Sequence, residues 1–249
     1  MEKSQTLGRI FMAMGLVVFA VQHFMYAGFV AGLVPAWIPG RLFWAYFVGV
    51  AFVAAAIGAV VRRATRTAGT LLGVLFFLFL VTLHLPRIAT HSRNGNEWTS
   101  GFVALAMCGG AWVLAIASPS DERKPSDLLH KLGRYFFAVA ILAFGVQHFV
   151  YARFGAGLGP PWFPGRPLWA YLTGVALLAA GLAILVGKKA RVAAALLGTL
   201  LFLFFLLLHV SRVAARLHDP GPWTSGFEIL ALSGGALLLA GTAPRDRKE

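Results

Sequence analysis

One cysteine in 249 residues, nine acidic side chains and only 12% charged residues remove several mechanisms at the outset. A lone thiol, Cys108, forms neither an internal disulfide nor a CxxC exchange site, so thiol–disulfide chemistry of the chain's own is excluded. With Ser233 at the equivalent place in a second copy of the segment, Cys108 reads as a small core residue. Carboxylates and thiols are too sparse around the histidines to complete a bare metal site. The chain also lacks a nucleotide, flavin or iron–sulfur motif. Charge this scarce excludes an ordinary soluble domain, in which about a quarter of residues are charged.

What is present is apolar surface. Hydrophobic residues make up 59% of the chain and its mean hydropathy is +0.76. A helix crossing a hydrocarbon core of about 30 Å needs about 20 mostly apolar residues. Eight stretches qualify: 10–30, 42–61, 68–88, 101–117, 135–155, 168–186, 192–213 and 226–242. The polar start MEKSQTLGR resembles the first part of a signal peptide, but no small-residue cleavage site follows a short apolar core, and the segment recurs from residue 132. It is expected to be a retained helix.

The chain is duplicated. A shift of 125 residues aligns 7–116 with 132–241 without a gap, with 55 identities in 110 positions. Each copy holds four spans, an even number, so both copies enter from the same side and form parallel repeats. The expected fold is all-α: a polytopic membrane protein with eight transmembrane helices in two parallel four-helix-bundle repeats. Residues 1–117 and 132–249 form the repeats, and the charged stretch 118–131 forms a linker. Fifteen of the 22 Lys and Arg fall at one set of span ends and seven at the other. The positive-inside bias then places the linker and both termini on the cytoplasmic side of the cell membrane. The net charge of +13 is mostly this topology signal, answered by anionic lipid headgroups rather than by nucleic acid.

Histidines inside apolar spans ask for partners, because an ionisable group there is costly and usually faces the bundle interior. His23 and Tyr26 on the first span, and His148 and Tyr151 on the fifth, stand at i and i+3. His84 and Arg87 in LHLPR, and His209 and Arg212 in LHVSR, have the same spacing on the third and seventh spans. All are expected at the outer end, with Trp37, Trp44, Trp98, Trp162, Trp169 and Trp223. An interfacial aromatic belt accounts for tryptophans without a ligand. The loop LVPAWIPGR should turn tightly at Pro39-Gly40 and hold Trp37 over the histidines. Arg87 and Arg212 are candidate clamps for an anionic ligand. Glu228 replaces Val103 of the first copy and is expected to pair with Arg212 or His209, marking a functional split between the copies.

Three readings of the histidines stay open: helix ties made by hydrogen bonds, including one from His23 to His84; a site for a quinone or similar polar-headed lipid, flanked by tryptophans; and bis-histidine haem ligation by His23 and His84. A transport path between the copies is the weaker alternative, since no span carries a mid-membrane Gly/Pro break with paired charges.

Each repeat begins G-R-x-x-x-A, has a polar residue late in its first span, a proline-rich outer loop and a small-residue-rich fourth span, SGFVALAMCGGAWVLA in the first copy. In these features the chain resembles the DoxX-like membrane proteins, as a tandem duplication covering each repeat fully. That family takes its name from the small membrane subunit of a thiosulfate:quinone oxidoreductase. The resemblance implies a redox-associated membrane subunit that hands electrons to quinone or supports a redox partner subunit. It carries over no catalytic residue, and whether the chain is an enzyme stays open. The alternative is a non-catalytic scaffold or assembly protein whose histidines only tie helices.

Overall fold

The computed structural model describes residues 2–61, 63–117, 127–153, 157 and 164–243, and among the described residues the chain has no strand. Its helices are α1 (Glu2–Met25), α2 (Ala27–Leu33), α3 (Arg41–Val60), α4 (Thr65–Phe79), α5 (Leu85–Thr90), α6 (Gly95–Ile116), α7 (Asp127–Val150), α8 (Arg166–Val186), α9 (Ala190–Phe204), α10 (Val210–Ala215) and α11 (Pro220–Thr242). A single π-helical turn, Leu80–His84, joins α4 to α5, and a second, Phe205–His209, joins α9 to α10. Thr65–Thr90 and Ala190–Ala215 are therefore each one continuous helix. Among the described residues eight helices are long and apolar enough to cross a membrane.

Local chemistry sets the ends. The first apolar run, expected as one span over 10–30, instead stops at Met25. Tyr26, at φ −116° and ψ 33°, breaks the helix, and α2 restarts after it. The hydrogen-bonded turn of the proline loop falls at Pro35–Ile38, ahead of the expected Pro39-Gly40: the Ile38 N–H donates to the Pro35 carbonyl at 3.0 Å. Gly40 then takes φ 69°, as Gly165 takes φ 62° before α8. A left-handed residue opens both helices, a place glycine fills without steric cost. Asn94 caps α6 by accepting the Asn96 N–H at 3.0 Å, and Asp219 caps α11 by accepting the Gly221 N–H at 2.9 Å. Residues 127–131 of the charged stretch belong to α7; 118–126, with Arg123 and Lys124, lie outside the described residues, as do Arg62, Arg245, Arg247 and Lys248.

The packing is not that of two self-contained four-helix bundles. Within the first copy α1 packs on α3, α3 on α4 and α4 on α6, and the second copy repeats this with α7, α8, α9 and α11. The first and last helices of a copy are not extensive neighbours, however. α1 packs more extensively on α11 than on any helix of its own copy, α7 packs on α6 as well as on α8, and α6 meets α11 between the copies.

Glycines make these crossings close. A Cβ on Gly8 would come 2.7 Å from the Gly234 carbonyl oxygen, and one on Gly234 would come 2.6 Å from that of Gly8. A Cβ on Gly109 would lie 2.7 Å from the Gly133 carbonyl oxygen. The second crossing is the first with the copies exchanged. Gly110 and Gly235, themselves equivalent, meet where α6 crosses α11, a Cβ on either coming within 3.5 Å of the other's Cα. Met12 and its equivalent Phe137, both fully buried, fill the space beside these crossings. At the linker end the buried Arg9 side chain donates from Nη2 to the Ala117 carbonyl at the end of α6, where a cation suits the helix dipole.

Backbone-to-backbone approach leaves no room for a side chain, and overpacking typically costs about 1–3 kcal/mol. Gly234→Leu should therefore lower the melting temperature in detergent measurably. Gly28→Leu, on α2 where an added Cβ meets nothing within 4 Å, should not.

Candidate functional site at the histidine end

His23 and His148 behave alike. Each Nδ1 lies 2.8 Å from the backbone carbonyl four residues back, Phe19 for His23 and Phe144 for His148. A carbonyl only accepts, so Nδ1 carries the proton and donates, and in the neutral ring Nε2 is left as a lone-pair acceptor. Nε2 has no hydrogen-bond partner among the described residues. Both histidines are half-buried and press their Cβ atoms against glycines, 3.1 Å from a Cβ built on Gly49 of α3 and on Gly174 of α8 respectively. His23 also meets the Phe52 ring edge-on at 5.1 Å between centroids. Phe52 contacts Phe19 at 5.9 Å and Phe76 at 5.8 Å, and Phe76 contacts Phe79 at 6.0 Å, so the interior of the first copy is lined with aromatic rings. The second copy has Leu177 and Leu201 in place of Phe52 and Phe76.

His84 and His209 end the two π-turns, closed by the N–H of Leu85 on the Leu80 carbonyl and of Val210 on that of Phe205. Pro86 is not the cause, because Ser211 replaces it in the second copy and the turn persists. Such a turn inserts one residue and shifts the face that follows. It sets His84 against Gly101 of α6 and His209 against Gly226 of α11, where built Cβ atoms would lie 3.7 Å and 3.2 Å from the histidine Cβ atoms. His23 thus faces α3 while His84 faces α6, and no hydrogen bond joins the two. The expected hydrogen-bond tie between the first and third spans is absent. Among the described residues no three His, Cys, Asp or Glu side chains group as metal ligands.

The arginines differ between copies. Arg87 forms a two-point ion pair with Glu97 of α6, Nη2 to Oε1 and Nε to Oε2 both at 3.0 Å. Pro222 stands where Glu97 does, and Arg212, half-buried, has no partner among the described residues. Glu228 does not supply one. His209 packs on Gly226, and two residues along a helix is a rotation of about 200°, which turns Glu228 to the far side of α11. The expected Glu228 pairing with Arg212 or His209 therefore fails on helix geometry. Glu228 makes no side-chain hydrogen bond or ion pair among the described residues.

The tryptophans fasten loops. Trp44 donates from Nε1 to the Pro39 carbonyl at 3.1 Å, Trp98 to Ser92 at 2.8 Å and Trp223 to Leu217 at 3.0 Å. Trp98 stacks on Phe102 and Trp223 on Phe227. Trp37 is 72% exposed and makes no ring contact among the described residues, so the proline loop does not hold it over the histidines. Trp169 is half-exposed on α8, and Trp162 lies outside the described residues.

Sequence reasoning missed the hydrogen bonds that join the copies. Thr224 of α11 donates to Gln22 Oε1 at 3.0 Å, and Gln22 Nε2 donates to the Pro220 carbonyl at 3.0 Å. Thr99 of α6 donates to Gln147 Oε1 at 3.2 Å. Tyr26 reaches the His218 carbonyl at 3.5 Å, and Tyr151 lies over Gly95. The signal was on the page: Gln precedes His in an apolar span of both copies, and T-S-G-F opens both fourth spans.

Comparison with known proteins fits the duplication. A profile of DUF8561, described as a domain of unknown function, matches residues 12–116 and again 137–233. The chain belongs to that family. The two matches begin at equivalent residues of the repeats, so DUF8561 corresponds to the four-span unit. No curated protein and no solved structure matches the chain.

Interhelical hydrogen bonds of this kind contribute about 0.6 kcal/mol each on average. A double-mutant cycle with Gln22→Leu and Thr224→Val should give a coupling of about that size, read from unfolding in detergent. A coupling of zero would make the contact incidental to the join.

Proposed function

We propose that this DUF8561 protein is an integral membrane protein of the cell membrane, eight spans in two parallel repeats with both termini cytoplasmic. At the histidine end of each repeat it holds a lipophilic molecule with a hydrogen-bonding head, of the quinone type. The observation that carries the reading is the matched geometry of His23 and His148. Each gives its proton to a carbonyl of its own helix, and each keeps an Nε2 acceptor with no hydrogen-bond partner among the described residues. A histidine serving only as a helix tie would spend its bond on a neighbouring helix. The head of a hydroquinone is a donor that Nε2 could accept, and the Phe52 ring against His23 offers an aromatic face to the quinone ring. A redox role beside a partner subunit follows from the DoxX-like features and is part of the proposal. The orientation rests on the arginine and lysine bias.

A scaffold role is the second reading, favoured by the Gln22–Thr224 and Gln147–Thr99 bonds, which lock the copies without a ligand. Mass spectrometry of an organic extract of the protein purified in mild detergent separates the two. A near-stoichiometric quinone in the parent, lost from a still-folded His23→Ala/His148→Ala protein, is the expected result; bulk phospholipid alone in both would leave the scaffold. Cysteines introduced singly at Ser92 and Lys188 in a Cys108→Ser background test the orientation. An impermeant maleimide should label Ser92→Cys in intact cells and spare Lys188→Cys.

A further inference from the structure

The two copies treat the same arginine in opposite ways. Arg87 follows the π-turn of the first copy by three residues and is held in a two-point ion pair by Glu97, the third residue of α6. Arg212 follows the second π-turn at the same spacing, on an equivalent short helix packed against an equivalently capped final helix. Yet Pro222 occupies the place of Glu97, so no carboxylate answers it. Arg212 is less exposed than Arg87 and has no side-chain partner among the described residues. One turn inward, the His209 Nδ1 is buried with no hydrogen-bond partner. A half-buried guanidinium beside an unsatisfied ring nitrogen is a costly arrangement to keep empty. Of the carboxylates gained by the second copy, Asp219 caps α11 and pairs with Arg216 at 3.8 Å, and Glu228 is turned away from Arg212.

We infer that the Arg212 end of the second copy is an anion subsite for the head of an amphiphile, a carboxylate or phosphate taken in the two-point geometry that Glu97 shows in the first copy. Guanidinium presents paired N–H groups that match both oxyanions. The first copy fills this place from its own chain and the second leaves it for a ligand. The inference deepens the proposed function, resting on its lipophilic ligand end, and gives the second copy a ligand class the first cannot take.

The test uses the whole chain in mild detergent, with bound molecules counted by native mass spectrometry. Oleate, phosphatidylglycerol and inorganic phosphate are the probes. The parent should retain one oleate or one phosphatidylglycerol per chain, the preferred one naming the head group. Inorganic phosphate should bind at least about tenfold more weakly, because it gains the charge-assisted bonds without apolar burial. Pro222→Glu installs the first copy's carboxylate and, with Asp219 three residues earlier, a capping-box pattern that favours folding. It should abolish retention without lowering the melting temperature. Glu97→Ala frees Arg87 and should raise the count to two. Retention in Pro222→Glu equal to the parent, a count unchanged by Glu97→Ala, or no amphiphile retained by the parent would each overturn the inference. The quinone-type reading is scored separately by extraction from the same Pro222→Glu protein. A neutral ligand still present there leaves that reading standing when the anion subsite fails.

Discussion

Everything at the histidine end depends on how closely backbones approach at the linker end and midway along the helices. In the proposed bilayer setting lipid tails are as apolar as leucine, so burial of apolar surface gives helices little reason to pair. Close van der Waals packing through small residues takes its place. Here that packing is concentrated between the copies: Gly8 on Gly234, Gly109 on Gly133 and Gly110 on Gly235. Because α1 leans on α11 and α7 on α6, neither copy completes its own packing. The outer parts of α1 and α11 are then brought side by side, and Gln22 meets Thr224 as a consequence.

The histidines are positioned by two different devices. His23 and His148 are fixed by their own helices, through a carbonyl one turn back, and by glycines across the gap that admit the Cβ. His84 and His209 are fixed by π-turns, which advance the register by one residue and aim the ring at the glycine of an S-G-F sequence. The first device leaves Nε2 open, whereas the second leaves the His209 Nδ1 buried with no hydrogen-bond partner. The two kinds of histidine therefore have different chemical prospects despite sharing one end of the molecule.

Much of the helical layout was legible in the sequence because apolar run length is a strong signal and the duplication reports it twice. The proline loop was legible as a break between helices, because proline does not continue one, although its hydrogen-bonded turn falls at Pro35–Ile38 rather than at Pro39-Gly40. Partner choice was not. A glycine in an apolar span announces a close approach but not the helix that approaches, so the crossings between copies could not be read from four-span periodicity. The π-turns leave no mark in a 3.6-residue pattern until one residue has already been inserted. Glu228 was paired with the wrong face for the same reason: sequence proximity to Gly226 conceals a half-turn of helix. The Gln–Thr bonds were readable in principle, as polar residues kept in matching apolar spans, yet the neighbouring histidines drew the inference instead.

Duplication also allows the copies to diverge where a single unit could not. The crossings between copies use equivalent residues exchanged, so a change at Gly8 or Gly133 disturbs a seam that both copies share. The interiors are under no such reciprocity. The first copy fills its interior with Phe52 and Phe76 and neutralises Arg87 with Glu97. The second places the smaller Leu177 and Leu201 there and leaves Arg212 unanswered. The second copy keeps its interior packed, with Leu177 and Leu201 both buried, and differs at the arginine, which lacks the carboxylate that Glu97 supplies in the first. The seam glycines Gly8, Gly109 and Gly110 match Gly133, Gly234 and Gly235, and the four span histidines match, whereas the differing half of the aligned positions runs along the whole unit. Under the proposed anion subsite, a shared seam with unlike arginine partners lets one copy keep its charge internally paired while the other offers its charge to a ligand.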